Sequence, residues 1–360
     1  MGNKIFKLLG IASDPIIGID IGSSAVKLLQ LERKNNQYCV EHYAIEPLVP
    51  GAVMEKTIKD SGAVIKALQR LVEKANIKEV AACIAVPNSE AITRIIQLDA
   101  ELSEKEIQIE INLEADRYIP YSLDEVNLDF AVIGKSAKSE DLVDVLLTVS
   151  KSENVENRVQ LLSQANLSTQ IVDIDSFAME RAFSLISTQL PEQGANMVVA
   201  VIDIGATITT LNIFHDNRAI YTREQSFGGQ HLIDEIQTRY GLSYDEAVLA
   251  RKYDNLPDDY ITEVLQPFKE TVAKQVSRSC QFFFSSGGHN EIHYLFLTGG
   301  TSNIPGLDEL IFSEIGVKTA IANPFSDMLF SKHINEAALM EDATSLMNCC
   351  GLALRNCKNE

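Results

Sequence analysis

No stretch of this sequence approaches the ~18 consecutive apolar residues that a membrane-spanning helix requires, so a bilayer-spanning class is not expected. Basic residues are scarce as well: 31 Lys and Arg stand against 50 Asp and Glu, a formal net charge of −19. That balance excludes nonspecific nucleic-acid binding and broad contact with anionic membrane, because both surfaces repel an acidic protein. The six cysteines (Cys39, Cys83, Cys280, Cys349, Cys350, Cys357) include no C-x-x-C pair, and the chain is no small secreted scaffold. Reduced, mostly buried thiols are expected. The first ten residues, MGNKIFKLLG, carry two lysines and a brief apolar patch but no signal-peptide core. Phe6 stands where a myristoylation signal wants Ser or Thr. A soluble cytoplasmic protein is expected. At 360 residues, with 46% hydrophobic and 22% charged residues, two domains with separate cores fit the length.

What is present is a duplication. The stretch Ile16–Leu31 reads IIGIDIGSSAVKLLQL, and Val198–Ile213 reads VVAVIDIGATITTLNI. Asp20-Ile-Gly22-Ser23-Ser24 lies over Asp203-Ile-Gly205-Ala206-Thr207 without a gap. Each copy is a β-branched run, an Asp, a Gly turn with small residues, and a second alternating run, which predicts strand–turn–strand. A carboxylate at the end of a buried strand is costly unless paired, and a metal ion or its waters would serve. The turn after it can aim successive backbone N–H groups at one anion. A single hairpin of this kind reads equally as an ordinary polar turn. Two copies, each opening one half of the chain, can hold opposite sides of a polyphosphate. Lys27 then meets a phosphate or is a solvated strand residue.

Between and after the copies, periodicity predicts an amphipathic helix at Ser61–Ala75 and a buried strand at Val80–Val86. The texture changes from Ser89 to Ser150: strand Ala91–Leu98, a capping box at Ser103 and Glu106, helix Glu104–Tyr118, then strands Val126–Ile133 and Val143–Val149. This predicts a small inserted α+β subdomain. Strand Thr169–Asp175 ends in Asp173 and Asp175. Later, Gly228-Gly229 and Gly299-Gly300-Thr301-Ser302-Asn303 each precede a helix, whose N-terminal N–H groups suit a nucleotide phosphate. Tight turns needing glycine for geometry alone are the plain alternative. His289, Glu291 and His293 match no metalloprotease spacing, and the Asp258-Asp259 and Glu341-Asp342 pairs read as solvated turns. Ala343–Arg355 reads as a small-residue helix packed back onto the body.

The order of these motifs resembles the α/β ATPase fold shared by actin, sugar kinases and heat-shock chaperone ATPases. More narrowly, Gly18–Leu28, Glu114–Glu125, Val172–Ala178, Gln225–Gly229 and Leu297–Thr301 resemble the PilM family of type IV pilus assembly, itself similar to the division protein FtsA. The resemblance runs from about Pro15 to Arg355. It implies an actin-like two-lobed fold with a small α+β subdomain inserted in the first lobe. The divisions would be an arm at 1–14, a first lobe at 15–88 and 151–194, the insert at 89–150, a second lobe at 195–342, and a tail helix at 343–360. It also implies ATP and Mg2+ in the cleft. Asp20 and Asp203 would hold the metal through water, and Gly22, Ser23, Ser24, Lys27, Gly205, Ala206 and Thr207 would surround the phosphates. Gly228, Gly229, Gly299, Gly300, Thr301 and Asn303 would lie at the nucleotide, with Asp175 orienting the attacking water. Ala206, where many relatives carry Gly or a hydroxyl residue, implies binding more than fast hydrolysis.

Family resemblance further implies a partner, the short cytoplasmic N-terminus of the inner-membrane protein PilN, docked in a groove beside the insert. Tyr118, Ile119, Pro120 and Tyr121 are candidates for that groove, or are simply core at a helix end. The protein would then sit at the inner membrane through this partner and other pilus components, without inserting itself and without nucleic acid; self-association stays open. Two alternatives stand beside this scaffold. A small-molecule kinase of the same fold would need a general base at an acceptor pocket, and only Asp175 with its neighbour Asp173 offers one. An FtsA-like membrane tether would need a basic amphipathic tail, which Leu346–Arg355 does not provide.

Overall fold

The computed structural model describes residues 16–77, 81–287 and 291–356. The expected arm at 1–14, together with His289 and Cys357, lies outside them. The first lobe opens with β1 (Ile16–Ile21), β2 (Ala25–Lys34) and β3 (Gln37–Pro47), an antiparallel meander. A two-stranded ribbon follows, β4 (Val53–Met54) and β5 (Thr57–Ile58), and then α1 (Ser61–Ala75) and β6 (Ala81–Val86). The α1 helix forms where its apolar spacing predicts. Asp60 caps it by accepting from the Ala63 N–H at 2.9 Å, and Asn76 ends it in the left-handed region at φ 52°. Val64, Leu68 and Leu71 face the sheet and are fully buried.

The insert holds β7 (Ala91–Asp99), α2 (Glu104–Leu113), α3 (Ala115–Tyr118), β8 (Val126–Ser136) and β9 (Ser139–Lys151). Its antiparallel sheet runs β7-β9-β8. The capping box at Ser103 and Glu106 is present in full. The expected single helix to Tyr118 is broken at Glu114, whose φ −103°, ψ 11° leaves the helical region. The two long strands run further than alternation indicated, so that their turn shrinks to residues 137–138. Ile107, Ile111, Ala115 and Ile119 close a separate core over one face of this sheet.

The chain then re-enters the first sheet through α4 (Ser152–Gln164), β10 (Ser168–Ile174) and α5 (Asp175–Ile186). Asp175 is thus the first residue of a helix, not the last of a strand. The second lobe has β11 (Val198–Ile204), β12 (Thr209–His215), β13 (Arg218–Gln225), α6 (Gln230–Tyr240), α7 (Tyr244–Lys252), α8 (Gln266–Ser285), β14 (Tyr294–Thr298), α9 (Leu307–Ile315) and β15 (Thr319–Ile321). A π-helical turn, Ile261–Leu265, leads into α8, which has Pro267 in its first turn, where a missing N–H does no harm. The chain closes with β16 (Leu329–Phe330), α10 (Glu336–Asp342) and α11 (Met347–Ala353).

The duplication seen in the sequence extends to the sheets. The first runs β10-β6-β1-β2-β3-β16 and the second β13-β12-β11-β14-β15. In each, one central strand pairs antiparallel with the next strand of its hairpin and parallel with a strand reached by a crossover. The two glycine turns therefore stand at matching points. Between the sheets lies a shared core: Leu29, Leu31 and Val40 of the first lobe, Val199, Phe214 and Phe296 of the second, and apolar faces of α5 and α11.

The tail helix α11 seats very closely. A Cβ added at Gly18 would come within 2.6 Å of the Ala353 nitrogen, and one at Gly351 within 1.7 Å of the Ala178 carbonyl oxygen. Gly351→Ala should therefore destabilise by about 3 kcal/mol or more despite the better helix propensity of alanine. Gly62→Ala, in the first turn of α1 with only ordinary contacts, should be neutral or stabilise by up to about 1 kcal/mol. Urea unfolding of both variants checks the contrast, and equal effects would contradict it.

Candidate functional site

The hairpin turns bring their aspartates to one cavity of about 270 Å³ between the lobes, lined among others by Asp20, Gly22, Lys27, Asp175, Asp203 and Asn348. A second cavity of about 400 Å³ continues it past Ser24 and Ala206 to Gly229, Gly300, Thr301 and Lys252. The two turns meet across the opening, where the Ser23 and Thr207 hydroxyls are 2.7 Å apart.

The hairpins are alike in backbone but not in charge. Asp20 pairs in register with Lys27, whereas Asp203, at the matching point, pairs with Thr210. Lys27 Nζ accordingly lies 2.9 Å from Asp20 Oδ2, and so is not a solvated strand residue. Burial pulls the Lys27 ammonium down, but Asp20, with Asp203 beyond it, outweighs burial and raises it. Asp203 makes no ion pair among the described residues. Burial pushes its carboxyl up to about 6, with Lys27 and Lys56 drawing it partly back and Asp20 and Asp175 adding repulsion.

Asp175 is held by Lys56 Nζ at 2.8 Å and by Asn348 Nδ2 at 3.1 Å. The Asn348 amide also reaches Asp20 Oδ1 at 3.4 Å, and its own Oδ1 is buried without a partner. Asp173 is withdrawn from any base role: it is buried, ion-paired with Arg181, and 3.3 Å from Arg355 Nε. Asp342, read from sequence as a solvated turn, lines the cleft.

The glycine pairs divide. Gly299, at φ 86°, leaves no room for a Cβ, which would sit 2.3 Å from Asp203 Oδ1. Gly228 is required by its approach to the Gly205 and Ala206 carbonyls. The N–H groups of Gly229 and Gln230 donate to those same carbonyls at 3.0 and 2.7 Å, and so do not point at an anion. Thr301 spends its hydroxyl on the Gly205 carbonyl at 3.0 Å. Asn303 lies outside the cavity, donating to the Glu341 carbonyl at 2.8 Å and accepting from Thr344 at 3.0 Å. His293 is structural in its contacts, its Nδ1 accepting from the Val198 N–H at 2.9 Å.

Sequence reasoning missed Lys56, Glu224, Asn348 and Arg158. Lys56 and Asn348 sit in a short turn and in the tail, far from either hairpin, and no local pattern marks them. The gapless offset between Lys27 and Thr210 was the one readable sign that the hairpins are electrostatically unequal.

The donor set fits a hydrated Mg2+ rather than a protein cage. Among the described residues no three His, Cys, Asp or Glu side chains converge closely enough to hold a metal, while one or two carboxylates with waters and phosphate oxygens are what Mg2+ takes. Asp203, without an ion pair among the described residues, and the Asn348 oxygen, buried without a partner, are the groups that such a hydrated ion would engage.

A larger groove of about 530 Å³ lies where the first lobe meets the insert, between α1, α4 and the ends of β7 and β9, lined by Ser61, Glu90, Tyr121, Lys151, Glu153 and Arg158. Of the four candidates for a partner groove, Tyr121 lines it, with Lys151 Nζ 4.7 Å over its ring. Ile119 instead closes the core of the insert, Tyr118 donates to Glu114 at 3.0 Å, and Pro120 is exposed. Among the described residues no helix is long and apolar enough to cross a membrane, and Cys39, Cys83, Cys280, Cys349 and Cys350 are free and buried.

A carboxyl whose folded value lies above its ordinary 3.8 is penalised once ionised: the cost is absent below about pH 4 and complete above pH 6. Asp203→Asn should therefore stabilise the protein at pH 8, by on the order of 1–3 kcal/mol. The gain should vanish as pH falls from 6 to 4. Paired thermal melts across this range test it, and a pH-independent gain would rule out the carboxylate charge as the cause.

A sequence profile described as type IV pilus assembly protein PilM matches residues 18–357. Among solved structures, a PilM–PilN type IV pilus biogenesis complex is 25% identical, covers 95% of this chain and 98% of that chain, and superposes with a TM-score of 0.76. The ethanolamine utilization protein EutJ of Carboxydothermus hydrogenoformans is 14% identical over 98% of this chain and 93% of its own, with a TM-score of 0.58. A diol dehydratase-reactivating factor in nucleotide-free form is 10% identical over 95% and 99%, with a TM-score of 0.52. The last two likenesses show the fold alone, which is the actin-like α/β fold. With the profile spanning nearly its whole length, the chain belongs to the PilM family of type IV pilus assembly proteins.

Proposed function

We propose that this protein is an ATP-binding scaffold of the type IV pilus inner-membrane complex. It holds Mg-ATP between its lobes and the short cytoplasmic N-terminus of PilN in the groove beside the insert, and so sits peripherally at the inner membrane. The observation that carries the nucleotide half is the pair of Asp-x-Gly hairpins facing one cavity, with Asp203 only partly compensated by Lys27 and Lys56. The partner half is supported by family membership and by the likeness to a PilM–PilN complex.

Asp20 and Asp203 would hold Mg2+ through water, and the backbone of Ser23, Ser24, Ala206 and Thr207 would surround the phosphates. Bound there, the metal would neutralise phosphate charge that the acidic cleft otherwise repels. Gly299 and Gly300 lie where the two cavities meet the second lobe, a place suited to the nucleoside. Hydrolysis is expected to be slow. Asp175, which would orient the water, is already engaged by Lys56 and Asn348, and Ala206 adds no hydroxyl. The kinase alternative loses its second carboxylate, because Asp173 is tied to arginines.

Calorimetry should show Mg-ATP binding, and Asp20→Ala should remove the metal-dependent part, lowering affinity roughly tenfold with Mg2+ and little without it. No heat and no thermal shift with Mg-ATP would sink the nucleotide half. For the partner half, a synthetic peptide from the cytoplasmic N-terminus of PilN should bind the full chain, and Tyr121→Ala should weaken it by roughly tenfold. An unbound peptide, or a small molecule phosphorylated at the expense of ATP, would overturn the scaffold.

A further inference from the structure

Lys56 is placed in a way that the fold alone does not require. It occupies the two-residue turn between β4 and β5, with Glu55 at φ 47° and Lys56 at φ 64°. Both lie in the left-handed region, where glycine is the low-cost residue and a long side chain is strained. The turn is clamped from beneath: Arg158, only 6% exposed, donates from Nη2 to the Lys56 carbonyl at 3.4 Å. From there the side chain enters the cleft, reaching Asp175 Oδ2 at 2.8 Å and Glu224 Oε1 at 2.7 Å. Asp175 belongs to the first lobe and Glu224, on β13, to the second. One ammonium therefore joins the lobes.

The two ammonium groups that line the inter-lobe cavity, Lys27 and Lys56, are not equally free. Lys27 is fixed in the sheet opposite Asp20 by strand register. Lys56 rides on a short ribbon, and each of its carboxylates has a further donor. Asn348 reaches Asp175 at 3.1 Å, and Asn88 reaches Glu224 at 3.4 Å. Lys56 can change partner without stranding either acid. Asp20, Asp175, Asp203 and Asp342 line the inter-lobe cavity with Lys27, Lys56 and Arg158, and both lysines are already ion-paired, so an added phosphate is favoured only where one of these cations turns toward it.

We propose that Lys56 makes the cleft favour a nucleoside triphosphate over a diphosphate, its ammonium passing from Glu224 to the terminal phosphate at the Asp175 end of the cleft. The proposal rests on the nucleotide reading above. The exchange loosens a contact between the lobes, so that the triphosphate form has one fewer ion pair across the cleft. Glu224 is then left with Asn88 alone.

The test is equilibrium binding of Mg-ADP and of the Mg complex of a non-hydrolysable ATP analogue to the full chain. Lys56→Gln should weaken the analogue roughly tenfold and leave ADP within about twofold. Glu224→Gln, which releases the ammonium, should strengthen the analogue severalfold and leave ADP unchanged. Lys56→Arg, which keeps the charge, should retain the preference. Were Lys56→Gln unable to fold, the Glu224→Gln and Lys56→Arg results would decide. Equal weakening of both ligands in Lys56→Gln, strengthening of both, or no change in their ratio would overturn the assignment. A wild-type chain that binds neither nucleotide overturns the nucleotide reading and this proposal with it, whereas one that binds both with an unchanged ratio in Lys56→Gln overturns this proposal alone.

Discussion

Besides Asp342, three carboxylates line one cavity from both lobes, Asp20, Asp175 and Asp203, and the arrangement of the cleft follows from how their charge is met. Removing charge from water is expensive unless it is paired. The duplicated hairpins alone do not meet that cost, because the fold repeats the acid and not the base: Lys27 stands opposite Asp20, but Thr210 stands opposite Asp203. The remaining compensation is drawn from distant segments, Lys56 from a ribbon and Asn348 from the tail helix. It is incomplete, since Asp203 stays elevated near 6. The positive charge still wanting at Asp203 is what the metal-bound nucleotide proposed above would bring with it.

Holding those groups in register is the work of the tail helix α11. Its contacts with β1 and α5 are so close that only glycine fits at Gly18 and Gly351. The same segment reaches the second lobe, where the Thr344 carbonyl accepts from the Gly299 N–H at 2.9 Å and from the Thr298 hydroxyl at 2.6 Å. Asn348 is therefore aimed at Asp20 and Asp175 by packing on one lobe and hydrogen bonds to the other. The side chain that the cleft borrows is positioned by the element that joins the lobes.

Much of this was legible in the sequence. The gapless repeat of Asp-x-Gly, the amphipathic spacing of Ser61–Ala75 and the Ser103–Glu106 capping box each specify local structure through local chemistry, and each element starts where expected, although the helix after the box breaks at Glu114. What was not legible depends on chain segments meeting from far apart. Nothing near Lys56 marks it as a cleft residue, since its partners lie 119 and 168 positions away. Gly228 resembles a phosphate-binding glycine in sequence, yet its reason is the Gly205–Ala206 backbone pressed against it. Local pattern finds a tight turn, and only the tertiary neighbour says whether the space is kept for a ligand or for the protein itself.

The two large cavities are not separate features. Arg158 lines both the inter-lobe cleft and the groove beside the insert. On the groove side its Nη2 lies 3.7 Å from Glu90, and on the cleft side it donates to the Lys56 carbonyl. Burial draws its guanidinium down, and Glu90 and Asp175 oppose that, so both cavities contribute to its charge balance. A ligand acts across this wall only if it binds differently to two positions of Arg158. If it does, the effect is reciprocal: whatever factor an occupant of the groove imposes on the cleft, an occupant of the cleft imposes on the groove. A segment that pairs with Glu90 would loosen the arginine from the groove side, and a ligand that draws Lys56 forward would load it from the cleft side. One buried side chain thus borders both walls, so a change in its position would be felt in both cavities.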